Sequence, residues 1–257
     1  MTEPTKLLLA HPWDAAKVDP TGWWVSEKLD GVRCFWDGRG GLWSRLGKPF
    51  AKAPASFLAG LPQGVELDGE LYLGRKMFND TIRAIKGSAG WDKICYSVFD
   101  APDAPGPVEA RWARARFALK ASPEAAVVHQ VRCESPAHLG VLLKGVESLG
   151  GEGLMLRQPG SLYEPKRSRT LLKVKSFFDV EATVLSTIPG KGKHEGRLGA
   201  LHCRLDSGVD VDVGTGFTDA EREAPPAMGA RVTVRYQELT PAGVPRFPVF
   251  VAVREYE

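Results

Sequence analysis

The sequence lacks the signatures of several common protein classes. Its four cysteines are far apart and form no CxxC pair, which argues against a structural zinc site. No apolar run approaches twenty residues, so a membrane-spanning helix is not expected. The segment HEG at 194–196 has no second histidine at the HExxH spacing, which makes a metal hydrolase a poor interpretation. Internal repeats and low-complexity tracts are absent as well.

The first residues, MTEPTKLLLAHPWD, contain one lysine and a short LLLA segment, which is too weak for a secretory signal peptide. We therefore expect a cytoplasmic protein. A leader that had been removed would leave no trace in the sequence, so a periplasmic location stays open.

The composition is that of an ordinary globular protein, and the charge is unevenly distributed. The 257 residues are 43% hydrophobic and 25% charged, enough for one large domain or two modest ones. Residues 157–204 carry ten Lys and Arg against four Asp and Glu, while the rest carries 24 against 27. This basic segment is either a solvated charged face or a surface that binds a polyanion.

The segment SEKLDGVRCFWDG, residues 26–38, places charged residues inside a pattern that otherwise indicates a buried strand. Lys28 could act as a covalent nucleophile if burial or neighbouring cations help its ammonium group to lose a proton. Arg33 could form charge-assisted contacts with a phosphate or a ribose. A single lysine of this kind is often only a solvated surface amine, so the interpretation depends on partner residues.

Candidate partners follow along the chain. Asp68 and Glu70 in LDGEL share a strand face, and Phe99 in YSVFD could stack on a base. Glu152 precedes the apolar strand of GEGLMLR. Lys173 and Lys175 in LLKVK lie side by side, an arrangement that a bound phosphate would stabilise. Each has an ordinary structural explanation, such as an exposed acid, a core aromatic or a protected edge strand. The occurrence of all these segments in one chain, in this order, is more specific evidence for a catalytic site than any one of them alone.

The pattern predicts strands with glycine-rich turns over 22–74 and helices over 79–87, 108–120 and 135–150. The first helix is expected to be capped by Asn79 or Asp80, and the last by Ser135 followed by Pro136. From about residue 176, β-branched segments alternate with Gly, Pro and Asp turns, which is typical of a small barrel. We therefore expect two domains, 1–175 and 176–257.

In order, the motifs EKLDGVR, SR at 44–45, LDGE, YSVFD, EGLMLR and LLKVK resemble those of the covalent nucleotidyltransferase superfamily. The chain most closely resembles the minimal bacterial ATP-dependent DNA ligases, and GKHEGRLGAL, VGTGF and RFPVFVAVRE resemble their C-terminal segments. The resemblance implies an α+β fold. An adenylation domain (nucleotidyltransferase, ATP-grasp-like) of antiparallel sheets and helices would be followed by a C-terminal OB-fold β-barrel.

The resemblance also implies roles for individual residues. Lys28 would become adenylated by ATP, with Asp30 in the same motif. Glu27, Arg33, Glu70 and Phe99 would bind the nucleoside, with Phe99 stacked on adenine. Glu70 and Glu152 would hold Mg²⁺ or Mn²⁺, and Lys173 and Lys175 would hold the α-phosphate. Arg246 and Arg254 would orient the pyrophosphate. The expected DNA-contacting residues are Arg45, Lys166, Arg167, Arg169, Lys191, Lys193 and Arg197.

The function implied is the sealing of nicks in double-stranded DNA by a monomer without membrane contact, in DNA repair, replication or recombination. The alternatives are a capping guanylyltransferase, an RNA ligase, or a non-catalytic OB-fold DNA-binding protein. The segments RFPVF and GKHEGRLGAL favour a DNA ligase over the other nucleotidyltransferases, and labelling with ATP against GTP would separate them. The presence of all five charged motif residues, Lys28, Glu70, Glu152, Lys173 and Lys175, disfavours the non-catalytic alternative.

Overall fold

A computed structural model of the chain describes residues 7–87, 90–240 and 242–254. The chain forms two compact units, Met1–Lys175 and Ser176–Glu257. None of the helices in the described ranges combines the length and the apolar character needed to cross a bilayer.

The first unit contains two mixed sheets. Sheet I has the order β1-β10-β9-β2-β8, and sheet II has the order β4-β3-β5-β6-β7. The strands of sheet I are β1 (Leu9–Pro12), β2 (Trp24–Glu27), β8 (Val131–Arg132), β9 (Leu154–Arg157) and β10 (Arg167–Val174). The strands of sheet II are β3 (Val32–Trp36), β4 (Leu42–Ser44), β5 (Leu67–Tyr72), β6 (Cys95–Asp100) and β7 (Ala125–Val127). Neighbouring strands are antiparallel, except that β1 is parallel to β10 and β6 to β7.

Burial in β6 alternates with a period of two, as expected for a strand between a core and a polar cleft. Tyr96 and Val98 are fully buried in the core of sheet II, while Phe99 is half-buried on the opposite face. Sheet I has its own core, which includes Val25, Leu156 and Val174. The alternation therefore places Phe99 on the face of β6 opposite to Tyr96 and Val98.

The helices of the first unit are α1 (Ala55–Ala59), α2 (Phe78–Lys86), α3 (Val108–Ala118) and α4 (Pro136–Ser148). The prediction that Ser135 caps α4 is confirmed, because its hydroxyl accepts a hydrogen bond from the backbone N–H of His138 at 3.1 Å. The predicted cap of α2 was wrong. That helix begins after Met77, which makes no side-chain capping bond, and Asp80 lies in its first turn.

The second unit is built on a five-stranded antiparallel sheet with the order β13-β12-β11-β14-β17. Its elements are β11 (Phe178–Pro189), β12 (Leu198–Leu205), β13 (Asp210–Val213), α5 (Asp219–Glu223), β14 (Arg231–Tyr236), β15 (Glu238–Leu239), β16 (Pro245–Arg246) and β17 (Val249–Val253). Thr215, just after β13, forms a parallel bridge with Val249 of β17. This single bridge links the segment after β13 to β17, and the unit has its own apolar core.

Candidate active site

A cavity of about 310 Å³ lies in the first unit, lined by residues from both of its sheets. The predicted site residues that line it are Glu27, Lys28, Arg33, Arg45, Glu70, Phe99, Arg167 and Lys173. The chain therefore brings residues from distant parts of the sequence to one cavity.

Lys28 follows the last residue of β2, and its backbone N–H donates to the carbonyl of Gly153 at 2.8 Å. Its Nζ donates to one carboxylate oxygen of Glu152, and Nζ of Lys175 donates to the other oxygen. Side-chain exposure is 25% for Lys28 and about a tenth for Glu152 and Lys175. One largely buried carboxylate thus positions two lysines, although 124 and 23 residues separate them from it.

Gly31 allows the Lys28 loop to lie against β5. A Cβ atom at this position would come within 2.3 Å of the Leu71 carbonyl oxygen and 2.7 Å of Cγ of Glu70. The glycine is therefore required by close backbone approach, and not by a left-handed backbone conformation.

Arg33 is held firmly. Its Nε and Nη2 each donate to the carboxylate of Asp68 at 2.6 Å, and Nη2 also donates to the carbonyl of Leu8. Asp68 is almost fully buried and also accepts the Tyr163 hydroxyl hydrogen at 2.8 Å. Burial opposes the charge of Arg33, but the adjacent Asp68 outweighs it, so the pKa of Arg33 is raised. The Arg33 guanidinium also lies 4.9 Å from the ring centroid of Phe99.

Glu70 is the register partner of Arg33 on β5, and it faces the cavity. Burial raises the pKa of Glu70 to about 8, while Arg33 and Lys28 oppose the shift and Asp68 adds to it. Because this carboxyl is half-buried among charged neighbours, its protonation changes near neutral pH.

Lys173 faces the cavity from β10 and lies among other cations. Burial, followed by Lys175, Lys28 and Arg167, lowers the pKa of Lys173, with Glu152 as an opposing influence. This concentration of positive charge is typical of an anion-binding site.

Two of the predicted residues near Lys28, Glu27 and Asp30, are less favourably placed than Lys28 to contact a ligand in the cavity. Both carboxylate oxygens of Glu27 accept hydrogen bonds from Arg75, at 2.8 Å each, so this side chain is already paired at the edge of the cavity. Asp30 is not among the residues that line the cavity. Its negative charge contributes to raising the pKa of Tyr72.

The predicted DNA-contacting residues of the first unit are exposed. Arg45 and Arg167 line the cavity, and Arg167 donates to the carbonyl of Ala10. Lys166 pairs with Glu164 at 3.1 Å, whereas Arg169 lies on β10.

In the second unit, the segment between β11 and β12 carries the exposed Lys191 and Lys193. Arg197 is half-buried and pairs with Asp219 at 2.7 Å. Arg246 pairs with Glu238 at 2.8 Å, and Arg254 pairs with Glu181 at 3.1 Å.

The sequence interpretation missed several cavity residues. Trp24, Trp112, Met155 and Arg157 also line the cavity. Arg157 ends the EGLMLR segment and Trp24 lies in GWWV, so both were within quoted segments. Their role emerges only when β2 and β9 pair, because Trp24 and Arg157 are register partners.

The arrangement joins a lysine, its carboxylate partner and additional cations to a cavity lined in part by aromatic side chains. Residues 189–254 match the family model described as the DNA ligase OB-like domain. An α+β unit with this lysine site, followed by an OB-like unit, defines a covalent nucleotidyltransferase.

The family within this class follows from a relative of nearly the same length. The chain is 38% identical to a DNA ligase of Haemophilus influenzae over 95% of this chain and 90% of that protein. This chain belongs to the family of ATP-dependent DNA ligases.

Solved structures agree with this assignment. The fold is similar to that of Lig E DNA ligases, described as DNA binding with a minimal scaffold, with a TM-score of 0.89 and 38% identity over 96% of this chain and 98% of that one. It is also similar to Chlorella virus DNA ligase-adenylate, with a TM-score of 0.57 and 26% identity over 100% and 99% of the two chains.

Proposed function

We propose that this DNA ligase seals nicks in double-stranded DNA through a lysyl-AMP intermediate on Lys28. The observation that carries the proposal is the Lys28–Glu152–Lys175 arrangement beside a cavity that also contains Lys173. Three lysines around one carboxylate leave an excess of positive charge, which the phosphates of ATP would balance.

In the first step, deprotonated Nζ of Lys28 would attack the α-phosphorus of ATP. A P–N bond forms, the bond from the α-phosphorus to the bridging oxygen breaks, and pyrophosphate leaves. Lys173 and Lys175 would neutralise the phosphate oxygens, because phosphoryl-type transfer depends mainly on positioning and charge stabilisation. Glu152 would hold Lys28 in place before the attack.

The cavity suits a nucleotide because both cations and apolar side chains line it. Lys28 and Lys173 supply positive charge, and Trp24, Phe99, Trp112 and Met155 supply apolar surface. Arg33 and Glu70 also line the cavity and would contact the ribose. Glu27 would contribute from the edge of the cavity while it is paired with Arg75.

The described residues alone provide too few ligands for a divalent cation, so we expect the cation to bind together with the nucleotide. Within the described ranges, no group of three or more His, Cys, Asp or Glu side chains could hold a metal ion. Glu70 and Glu152 would be the protein ligands for Mg²⁺ or Mn²⁺, with the remaining positions filled by phosphate oxygens and water. The bound ion would supply charge neutralisation of the phosphates.

In the second step, the 5′-phosphate of the nick attacks the phosphorus of lysyl-AMP and Lys28 leaves. In the third, the 3′-hydroxyl attacks the 5′-phosphate, a phosphodiester bond forms and AMP leaves. Arg45 and Arg167 would bind the 5′-phosphate from the edge of the cavity. Lys166, Arg169, Lys191, Lys193 and Arg197 would bind the DNA backbone as phosphate contacts without reading its sequence.

Arg246 and Arg254 would orient the pyrophosphate in the first step. This assignment rests on their position in RFPVFVAVRE. Each arginine forms a surface ion pair, which is weak enough to be exchanged for a contact with pyrophosphate. We also propose that the enzyme acts as a monomer.

The test is a sealing assay on a 5′-labelled nicked duplex with ATP, beside the same strands as RNA and as unannealed single strands. The proposal predicts ligated product and transient adenylated DNA from the nicked DNA duplex. Sealing confined to RNA would favour an RNA ligase, and enzyme labelling by GTP alone would favour a capping enzyme. Binding of DNA without any product would favour the non-catalytic alternative.

A further inference from the structure

Arg75 forms a two-point ion pair with Glu27, the residue that precedes Lys28. Nε and Nη2 of Arg75 donate to the two carboxylate oxygens of Glu27, at 2.8 Å each. The two side chains are 33% and 22% exposed, so the pair is partly shielded from water. A bidentate contact between arginine and a carboxylate fixes direction as well as distance. Arg75 itself lies outside the motifs named above and is not among the residues that line the cavity.

The paired carboxylate of Glu27 also lies against the loop between α4 and β9, which carries Glu152. A Cβ atom on Gly151 would come within 2.9 Å of Oε1 of Glu27, so the glycine allows this close approach. The backbone N–H of Lys28 donates to the carbonyl of Gly153 at 2.8 Å. The end of β2 and this loop are therefore in contact on both sides of Glu152, which accepts a hydrogen bond from Nζ of Lys28.

The residue after Arg75 lies against the same loop. Lys76 has a left-handed backbone conformation, with a φ of 61°, which is uncommon for a residue other than glycine. Its side chain lies over Gly150, where a Cβ atom would collide with it. Such a backbone conformation costs energy and persists where neighbouring contacts hold it. The connection between β5 and α2 thus contacts the end of β2 through Arg75 and the loop between α4 and β9 through Lys76.

These contacts of Glu27, Arg75 and Lys76 form a clamp around the two segments that carry Lys28 and Glu152. Reactions at a bound phosphate depend on alignment, and a displacement of about 1 Å can cost on the order of a hundredfold in rate. Loss of the clamp would let the two segments move relative to each other, so that Nζ of Lys28 would be aligned less often. The rate of the chemical step would then fall, while ATP binding would change little.

We propose that Arg75 is a positioning residue for the two steps that use Lys28, formation of lysyl-AMP and transfer of AMP to the nick. This inference rests on the proposed function. The final step, attack of the 3′-hydroxyl on the adenylated 5′-phosphate, neither makes nor breaks a bond to Lys28. Arg75 is therefore needed for the first two steps and dispensable for the third.

The experiment compares the full-length wild type with Arg75→Met, which removes the ion pair and keeps an apolar stem. Self-adenylation is followed in single turnovers over a range of ATP concentrations, and sealing of a pre-adenylated nicked duplex is measured separately. We expect Arg75→Met to lower the maximal adenylation rate roughly tenfold, with less than about a twofold change in the half-saturating ATP concentration. Sealing of the pre-adenylated duplex should stay within about twofold of wild type. Arg75→Lys, which keeps the charge without the bidentate geometry, should recover part of the adenylation rate.

Arg83→Met is the matched control, because Arg83 forms an exposed ion pair with Asp80 at 3.0 Å within α2. It should leave the adenylation rate, the ATP dependence and the sealing rate unchanged. The double variant Glu27→Gln, Arg75→Met gives a second check. Because the two residues act as a pair, it should adenylate no more slowly than the slower of the two single variants.

A wild-type adenylation rate in Arg75→Met would overturn the inference. Equal slowing of adenylation and of sealing of the pre-adenylated duplex would also overturn it, as would a change confined to the half-saturating ATP concentration. If Arg75→Met does not fold, the same comparison with Arg75→Lys decides. A wild-type protein that ATP does not adenylate would instead contradict the proposed function, so the two failures are distinct.

Discussion

The burial of Glu70 makes the stability of the folded protein depend on pH. Its folded-state pKa is about 8, against a reference value of 4.5. Between these values the unfolded chain has released the proton that the folded chain retains, so stability falls as pH rises through this window. Below pH 4.5 both states are protonated and the residue contributes nothing to the pH dependence.

Glu70→Gln removes this penalty. We expect the variant to gain stability relative to wild type by up to about 5 kcal/mol at pH 8.5, with a much smaller difference at pH 5. Urea unfolding at both pH values, without nucleotide, measures the effect. Glu134→Gln, at an exposed position, is the control and should show no such pH dependence. A Glu70→Gln difference that is identical at the two pH values would contradict the assigned environment.

Gly31→Ala tests the close approach of the Lys28 loop to β5. The added methyl group would collide with a backbone carbonyl in a buried strand, so we expect a loss of about 1–3 kcal/mol in stability and loss of self-adenylation. Gly140→Ala is the matched control. Gly140 lies in α4 with open space around its Cβ position, so alanine should stabilise the protein by up to about 1 kcal/mol. Wild-type stability and activity in Gly31→Ala would show that the loop lies elsewhere.

At the residue scale, the sequence indicated the chemistry but not the supporting contacts. Lys28, Glu70 and Phe99 belong to local motifs, and all three line the cavity. The Asp100–Arg157 pair spans 57 residues, and nothing in the local pattern around either residue predicts it. Such pairs depend on which strands become neighbours, which the chain determines only through its packing.

At the element scale, the short helix α5 is held by one buried arginine. Arg222 donates to the carbonyls of Leu198, Gly199 and Gly214 at 2.9–3.1 Å. These bonds tie the helix to β12 and to the residue after β13. The capping box of Thr218 and Glu221 fixes the start of the same helix.

Arg222→Met should leave these carbonyl groups without their donors and cost about 2–3 kcal/mol, measured by urea unfolding. Arg204→Met is the comparison, since Arg204 forms an exposed pair with Asp210 and its loss should cost much less stability than Arg222→Met. Equal effects of the two substitutions would contradict the anchoring role of Arg222.

Helices and strands were predictable where adjacent residues in the sequence determine them. Ser135 followed by Pro136 identified the start of α4, because capping depends on adjacent residues. The pairing of β1 with β10 was not predictable. Its register shifts between Ala10 and His11, whose partners are Ser168 and Leu172, and this irregularity depends on contacts between the two ends of the first unit's sequence.

At the scale of the whole molecule, we expect the basic segment between 157 and 204 to make the affinity for DNA depend on salt concentration. Each phosphate contact releases about 0.9 of a counterion on duplex DNA. The double variant Lys191→Ala, Lys193→Ala should therefore reduce the slope of log affinity against log salt concentration by roughly two. Titration of a labelled nicked duplex at several salt concentrations measures it.

The control is the double variant Lys120→Ala, Lys144→Ala, which removes two exposed lysines outside the basic segment. Its salt slope should match that of wild type. An unchanged slope in the Lys191 and Lys193 variant would show that the segment between β11 and β12 does not contact phosphates.

The role of Lys28 is tested most directly by the mass of the intact protein after incubation with ATP and Mg²⁺, compared with Lys28→Arg. We expect wild type to gain the mass of one AMP, Lys28→Arg to gain nothing, and nicked duplex DNA to reverse the gain. Adenylation of Lys28→Arg, or an unmodified wild-type protein, would contradict the assignment of Lys28 as the nucleophile.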